Sequence, residues 1–256
     1  MPFIENIEFQ KIAVLPDNAR DNKIWRYMDF TKLISLLDTK ALWFTRADKM
    51  TKLDKNEGLY FPEFTNKLLE NPVVKENKPT MDNLSAHFKN QNEYNKQFLV
   101  NCWHMNEVES SNMWKAYAGR GYGVAVQSTF RKLAGSFHVA EDTVWIGPVS
   151  YSENTLMNAL TRCRYKIEAM NSYIPLMVKR KYYEDEKEVR AVIWNRKPLG
   201  DEGKYIQVDL NVLLDKIILA PQTEKWVLNL VKSVAKAYKI EVDVEPSILD
   251  QGPLYI

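Results

Sequence analysis

Along the chain, apolar positions recur at two different spacings, every second residue in some stretches and every third or fourth in others. Residues 24–27 are β-prone, Asp29 is placed to cap a helix, and Leu33, Ile34 and Leu37 fall on one helical face before residues 41–45 become extended. A strand-helix-strand unit is therefore predicted over 24–45. Residues 46–96 are mixed and polar, with Asp-Lys-Asn-Glu-Gly at 54–58 and Asn71-Pro72, and helices are predicted near 61–69 and from Asp82. Alternation returns in QFLVNCWHM, which reads as a buried strand. Next, Met113, Trp114 and Tyr117 share a helical face, and residues 122–127 alternate as a strand. Trp114 and Tyr117 are expected to fix that helix against the sheet. Gly119 suits the left-handed C′ position, and Gly119, Gly121 and Gly123 are expected to serve backbone geometry rather than phosphate binding.

The second half gives a strand in TVWIGPVSYS and a helical region over 153–183 that Pro175 interrupts. Strands follow at 189–194, 205–209, 216–219 and 242–245, with an amphipathic helix over 224–238. Strands separated sometimes by a helix and sometimes by a short turn imply an α+β fold. Its sheet is expected to be mixed or mainly antiparallel, with flanking helices. No internal repeat or interdomain linker is visible, so residues 1–256 are read as a single domain with a variable insertion at about 46–96.

Composition narrows the function classes. The 256 residues are 45% hydrophobic and 12% aromatic, which is ordinary for a globular protein. Thirty-five basic against thirty-three acidic residues leave +2, which argues against a strongly electrostatic nucleic-acid binder. No apolar run approaches the roughly 20 residues of a membrane-spanning helix, and the first residues lack a secretory pattern, so a cytoplasmic protein without a membrane partner is expected. Cys102 and Cys163 are far apart and are expected to be free core thiols.

Most established motifs are absent. There is no Walker A loop, HExxH, GxSxG or dinucleotide GxGxxG, and GRGYG follows a helix and opens a strand, the reverse of the phosphate-binding context. Cys102 and His104 sit on one strand face as either a Cys-His pair or a core thiol beside a half-buried histidine. Arg26 faces away from Trp25 and Tyr27 and suits either a bidentate clamp on phosphate or carboxylate or a structural ion pair. In YYEDEKEVRAVIW, alternation puts Glu188 and Arg190 on one face, opposite Val189 and Ala191, with Glu184 and Glu186 left in a solvated approach. Asp48, Asp54 and Glu57 form a carboxylate-bearing loop of the kind that could hold Mg²⁺ in a nuclease.

The segments WRYMDFTKLISLLDTKALWFTRADKM, DKNEG, MWKAYAGRGYGVAVQS, KRKYYEDEKEVRAVIW and DKIILAP resemble, in that order, a bacterial domain family catalogued only as being of unknown function. More distantly, Arg26 on a first strand, Thr45 on a second and Glu188 on a later one resemble the arginine, serine/threonine and glutamate layout of ADP-ribosyltransferases. That resemblance implies NAD as substrate, no metal, catalytic roles for Glu188, Arg26 and Thr45, and cofactor contacts from Arg26, Tyr27, Thr45 and Arg190. It also implies a macromolecular acceptor, protein or nucleic acid, and a setting such as a bacterial toxin or phage-defence effector. Glu186-Lys187-Glu188 matches the Glu-x-Glu form, whereas Thr45 stands without the fuller Ser-Thr-Ser pattern. A noncatalytic binding module is the alternative reading, and a metal-dependent nuclease the third.

Overall fold

The computed structural model describes residues 20–52, 55–76, 78–117, 122–152, 174–196 and 199–250. Strand β1 (Lys23–Asp29) leads into helix α1 (Phe30–Thr39) and strand β2 (Ala41–Arg46). Asp29 caps α1 as expected, its carboxylate accepting from the Lys32 amide at 2.9 Å. The buried face of α1 is Leu33, Leu36 and Leu37, with Ile34 at its margin. Helices α2 (Pro62–Glu70), α3 (Pro72–Lys75), α4 (Lys78–Lys89) and α5 (Gln91–Asn95) separate β2 from β3 (Phe98–Met105). Then come α6 (Ser111–Tyr117), β4 (Gly123–Thr129), α7 (Phe130–Ser136), β5 (Trp145–Pro148) and β6 (Glu188–Trp194). The chain closes with β7 (Gly203–Gln207), α8 (Leu210–Leu213), β8 (Lys216–Leu219), α9 (Lys225–Ala237) and β9 (Asp243–Pro246).

Among the described residues nine strands join in one sheet, in the order β5-β6-β3-β1-β4-β8-β9, with β2 pairing β3 and β7. Every strand pairing is antiparallel except β8 with β9, so the mixed, mainly antiparallel sheet with flanking helices expected from the sequence is the one observed. Both faces are covered. On one, Ile24, Phe44, Trp103, Val189, Ala191 and Ile193 pack with residues of α1, α7, α8 and α9 in the main core. On the other lie Trp25, Tyr27 and Trp114 in one cluster and Val100, Val192, Leu176 and Met177 in a second. Alternation along each strand therefore feeds two cores, and a polar residue on either face is buried unless the sheet opens.

It opens at β3. Strand β1 pairs with β3 only at Ile24 with Met105 and Trp25 with His104, whereas β2 pairs with it only at Thr45 with Val100 and Arg46 with Leu99. Both strands run antiparallel to the same edge of β3, at opposite ends of it. Residues 26–29 of β1 and 41–44 of β2 splay apart over Asn101, Cys102 and Trp103. The gap in the sheet is the feature that positions the site.

Several sequence expectations shift. Strand β7 starts two residues earlier than predicted, and Asp209 leaves it to cap α8, accepting from the Asn211 amide at 2.9 Å. Around Pro175 the chain forms a short 3-10 turn, Ile174–Met177, rather than continuing as helix, and the predicted helical stretch over 153–173 lies outside the described residues. Trp114 does pack against the sheet, edge-on to Tyr27 with centroids 4.8 Å apart. Tyr117, at the last turn of α6, is instead 46% exposed because it points across the gap rather than into the core. Gly119 and Gly121 lie outside the described residues, and Gly123 opens β4. No helix among the described residues is long and apolar enough to cross a membrane.

Candidate active site

A cavity of about 800 Å³ occupies the split between β1 and β2. Arg26, Tyr27, Thr45 and Glu188 all line it, brought together from three strands. Thr45 and Trp43 enter from the face of β2 opposite the buried Phe44. Glu188 comes from the first position of β6, facing away from Val189. Arg26 arises on the sheet face opposite Tyr27, as its position predicts, and reaches the same space because the β1–β3 ladder has stopped beside it. Its Nη1 donates to the Cys102 carbonyl at 2.9 Å, and its guanidinium lies 5.9 Å from the Trp103 ring centroid. Burial lowers its pKa from the usual arginine value.

Beneath Glu188 is a network the sequence did not reveal. Arg190 is 0% exposed and donates to Glu188 Oε2 at 2.6 Å, to the Leu176 carbonyl at 2.6 Å and to Glu57 Oε1. Lys179, 4% exposed, donates to Glu188 Oε1 at 3.0 Å and to Glu186, and lies 3.5 Å from Glu57. Two cations thus face three carboxylates in a water-poor space. Burial favours the neutral form of Glu188, but the charges of Arg190 and Lys179 outweigh it and hold the carboxyl well below its usual range. Glu186 moves the other way, pushed up to about 7 by burial and by its hydrogen bond with Glu188, against the pull of Lys179.

Local backbone explains how the five groups meet. Gly58 adopts φ +70, and a Cβ there would lie 2.7 Å from Leu176 Cδ2, so only glycine turns the chain tightly enough to bury Glu57 beside it. The Gly58 carbonyl accepts from Gln91 and Asn95, which pin that turn to α5. Lys187 takes the left-handed conformation, φ 40, between Glu186 and Glu188. That turn sends the chain from a 3-10 segment, Lys181–Glu186, into β6 with both carboxylates on Lys179. The Glu188 amide donates to Tyr151 Oη at 2.8 Å, fixing the start of the strand.

These contacts correct three sequence expectations. Glu186 is not solvated approach, because its carboxylate is held by Lys179. Arg190 is fully buried, donates to Glu188 and does not line the cavity, which is the positioning place beside Glu188 that strand alternation gives it and leaves it no exposed face for the cofactor contact implied by the resemblance. Glu57 is committed to Arg190 and Lys179, and Asp48 to Arg46 at 2.6 Å, so neither stands open for Mg²⁺; Asp54 lies outside the described residues. Among the described residues no group of three His, Cys, Asp or Glu side chains is arranged to hold a metal.

Tyr27 presents its ring to the cavity while its hydroxyl accepts from the Ser110 amide at 2.8 Å. His104 is 2% exposed; its Nδ1 lies 2.6 Å from the Glu186 carbonyl, which only accepts, so Nδ1 carries the proton. Burial lowers its pKa and leaves Nε2 an acceptor with no partner among the described residues. Cys102 is free, and burial, with Glu188 nearby, pushes its thiol up to about 12. It makes no hydrogen bond with His104, so the pair lacks the thiolate that nucleophilic catalysis needs. Cys163 lies outside the described residues.

No protein-family model matches the chain, and no curated protein matches it. Among solved structures, the chain is similar to Thermus sp. 2.9 DarT in complex with NAD+, at 11% identity and a TM-score of 0.39, covering 90% of this chain and 96% of that one. The complex of the same protein with carba-NAD+ is similar at 10% identity and TM-score 0.39, covering 92% and 98%, and the complex with ADP-ribosylated ssDNA at 11% and 0.39, covering 90% and 95%.

Proposed function

We propose that the chain is an NAD-consuming enzyme of ADP-ribosyltransferase type, with Glu188, Arg26 and Thr45 as its reacting-site residues. The observation that carries this reading is the convergence of Arg26, Thr45 and Glu188 on one cleft. The cleft is also polarised. Arg26, Lys32 and Lys49 line it as cations, while Glu57, Glu186 and Glu188 outnumber Lys179 and Arg190 by one charge once Glu186 ionises, above about pH 7. A dinucleotide has the matching polarity, an anionic pyrophosphate and a cationic nicotinamide ribosyl end.

In this reading Arg26 holds phosphate, Thr45 supports the nicotinamide ribose, and Glu188 accepts from a ribose hydroxyl and stabilises positive charge as the C1′–N bond breaks. The bonding pair leaves with nicotinamide and neutralises its ring. The acceptor's lone pair then forms the new bond to C1′, and the acceptor releases its proton. Orientation and electrostatics suffice for that chemistry, so a nucleophilic triad is not required. The acceptor is a macromolecule, protein or nucleic acid, and the setting a cytoplasmic bacterial toxin or phage-defence effector.

The test is incubation of wild type, Glu188→Gln and Arg26→Ala with labelled NAD and cell lysate, reading nicotinamide release and ADP-ribose transfer. Glu188→Gln is expected to lower kcat by roughly 10² or more, and Arg26→Ala to raise KM. From sequence alone Glu188→Gln would leave folding nearly intact; the buried pairs raise its stability cost to about 1–3 kcal/mol, so activity is read well below its melting midpoint. A wild type that neither binds nor consumes NAD leaves the noncatalytic binding module as the reading.

A further inference from the structure

Trp43 and Tyr205 are directly paired across β2 and β7, with ring centroids 4.9 Å apart at an interplanar angle of 68°. Both line the cavity, yet they are 38% and 46% exposed. A pair whose only role was to hold two strands together would gain by covering itself. This one is built to stay open. Gly203 pairs with Thr45, diagonal to Trp43, and a Cβ there would lie 2.5 Å from Trp43 Cζ2 and 2.3 Å from the Phe44 carbonyl oxygen. The missing side chain lets the indole lie down on the backbone of β7, so one side of the ring is backed and the rest is presented to the cleft. Tyr205 is held in turn, its hydroxyl 3.1 Å from Ser35 Oγ of α1.

We propose that Trp43 and Tyr205 form a stacking platform for the planar ring of a nucleotide. Its surroundings select that ligand class over a plain apolar one. Lys32 and Lys49 line the same cavity, 3.1 Å from Asp29 and 3.3 Å from Glu202, and their side chains are 70% and 31% exposed, which leaves donors for a phosphate. Thr45, two residues along the same strand face, is placed for a ribose hydroxyl. The platform rests on the dinucleotide reading for its ligand, because either end of NAD, adenylate or nicotinamide ribotide, carries a planar ring and a phosphate.

The experiment is calorimetric titration of wild type, Trp43→Leu and Tyr205→Leu with AMP, nicotinamide mononucleotide and ribose 5-phosphate, alongside NAD turnover. At least one nucleotide is expected to bind tenfold or more tighter than ribose 5-phosphate, and which one does assigns the platform to its end of the dinucleotide. Each leucine variant is expected to weaken that nucleotide roughly five- to hundredfold, the range of one lost base stack, and to leave ribose 5-phosphate unchanged. Tyr205 lies on a half-exposed strand, so its variant remains informative if Trp43→Leu fails to fold. Equal affinities for nucleotides and ribose 5-phosphate, or a folded variant that binds like wild type, overturn the platform. Nucleotide binding that depends on Trp43 without any NAD turnover keeps the platform and removes the transferase reading; turnover with an unchanged KM in both variants does the reverse.

Discussion

Replacing Arg190 with methionine keeps most of the side chain's volume and removes its charge and donors. The residue is fully buried and serves Glu188, Glu57 and the Leu176 carbonyl. After the change, three carboxylates are left with Lys179 alone, and the Leu176 carbonyl loses this donor. Removing one partner of a buried ion pair costs about 3–5 kcal/mol, because the remaining charge stays out of water. The loss depends on pH. Arg190 is a principal cause of Glu188's low pKa, so without it the carboxyl titrates higher in the folded state. A carboxyl whose folded-state pKa lies below its unfolded value stabilises the fold above the unfolded pKa, and that stability is lost as pH falls through the folded pKa. The deficit of Arg190→Met is therefore expected to hold at about 3–5 kcal/mol from about pH 8 down to about pH 5 and to shrink as the solution is acidified further. Urea unfolding across that range and into acid measures it, with a constant m-value as the check that both proteins unfold alike. Adding Glu57→Gln removes one of the uncompensated carboxylates and should recover part of the loss, a coupling of about 0.5–3 kcal/mol. A deficit below about 1 kcal/mol near pH 8, or one that does not shrink in acid, would refute the buried network as drawn.

Two further outcomes follow from single groups. Trp114→Ala removes a ring that is 5% exposed and donates to Glu109 at 2.9 Å, and is expected to cost about 3–5 kcal/mol. In a thermal melt that is a fall of roughly 6–20 °C, and an unchanged midpoint would contradict it. Glu186, with its pKa raised to about 7, binds its proton more tightly folded than unfolded, so wild-type stability should fall from about pH 5 to about pH 7 relative to Glu186→Gln. Parallel stability curves for the two proteins would show that Glu186 titrates normally.

Hydrophobic period alone located most of the sheet. Residues 98–105, 189–194 and 216–219 alternate or run apolar, and each is a strand in the fold. The strand-helix-strand unit was legible because Asp29 and the α1 apolar face act locally. What period could not show was that both faces of the sheet are buried, so that a residue such as Tyr117 points across a gap and not into a core. Strand alternation also predicts a side, not a neighbour. It put Glu188 and Arg190 together and Arg26 opposite Tyr27, but the meeting of Arg26 with Glu188 depends on where the β1–β3 ladder ends, a tertiary fact.

The residues missed were those whose partners are distant in sequence. Glu57 reaches Arg190 across 133 positions, and in the sequence it looked like one carboxylate of a polar loop. Its signal was the glycine after it: a residue that must adopt positive φ inside a buried turn marks a tightly placed neighbour, here a carboxylate under the cleft. Lys179 carried no such mark, since a lysine preceding a run of charges reads as solvated. Its burial follows from charge balance, because Glu57, Glu186 and Glu188 need more positive charge than Arg190 supplies. The surplus of one carboxylate is what Glu186 absorbs by holding its proton to about pH 7. Glu188 thereby stays ionised at the cleft surface, which is the state a group stabilising positive charge must be in.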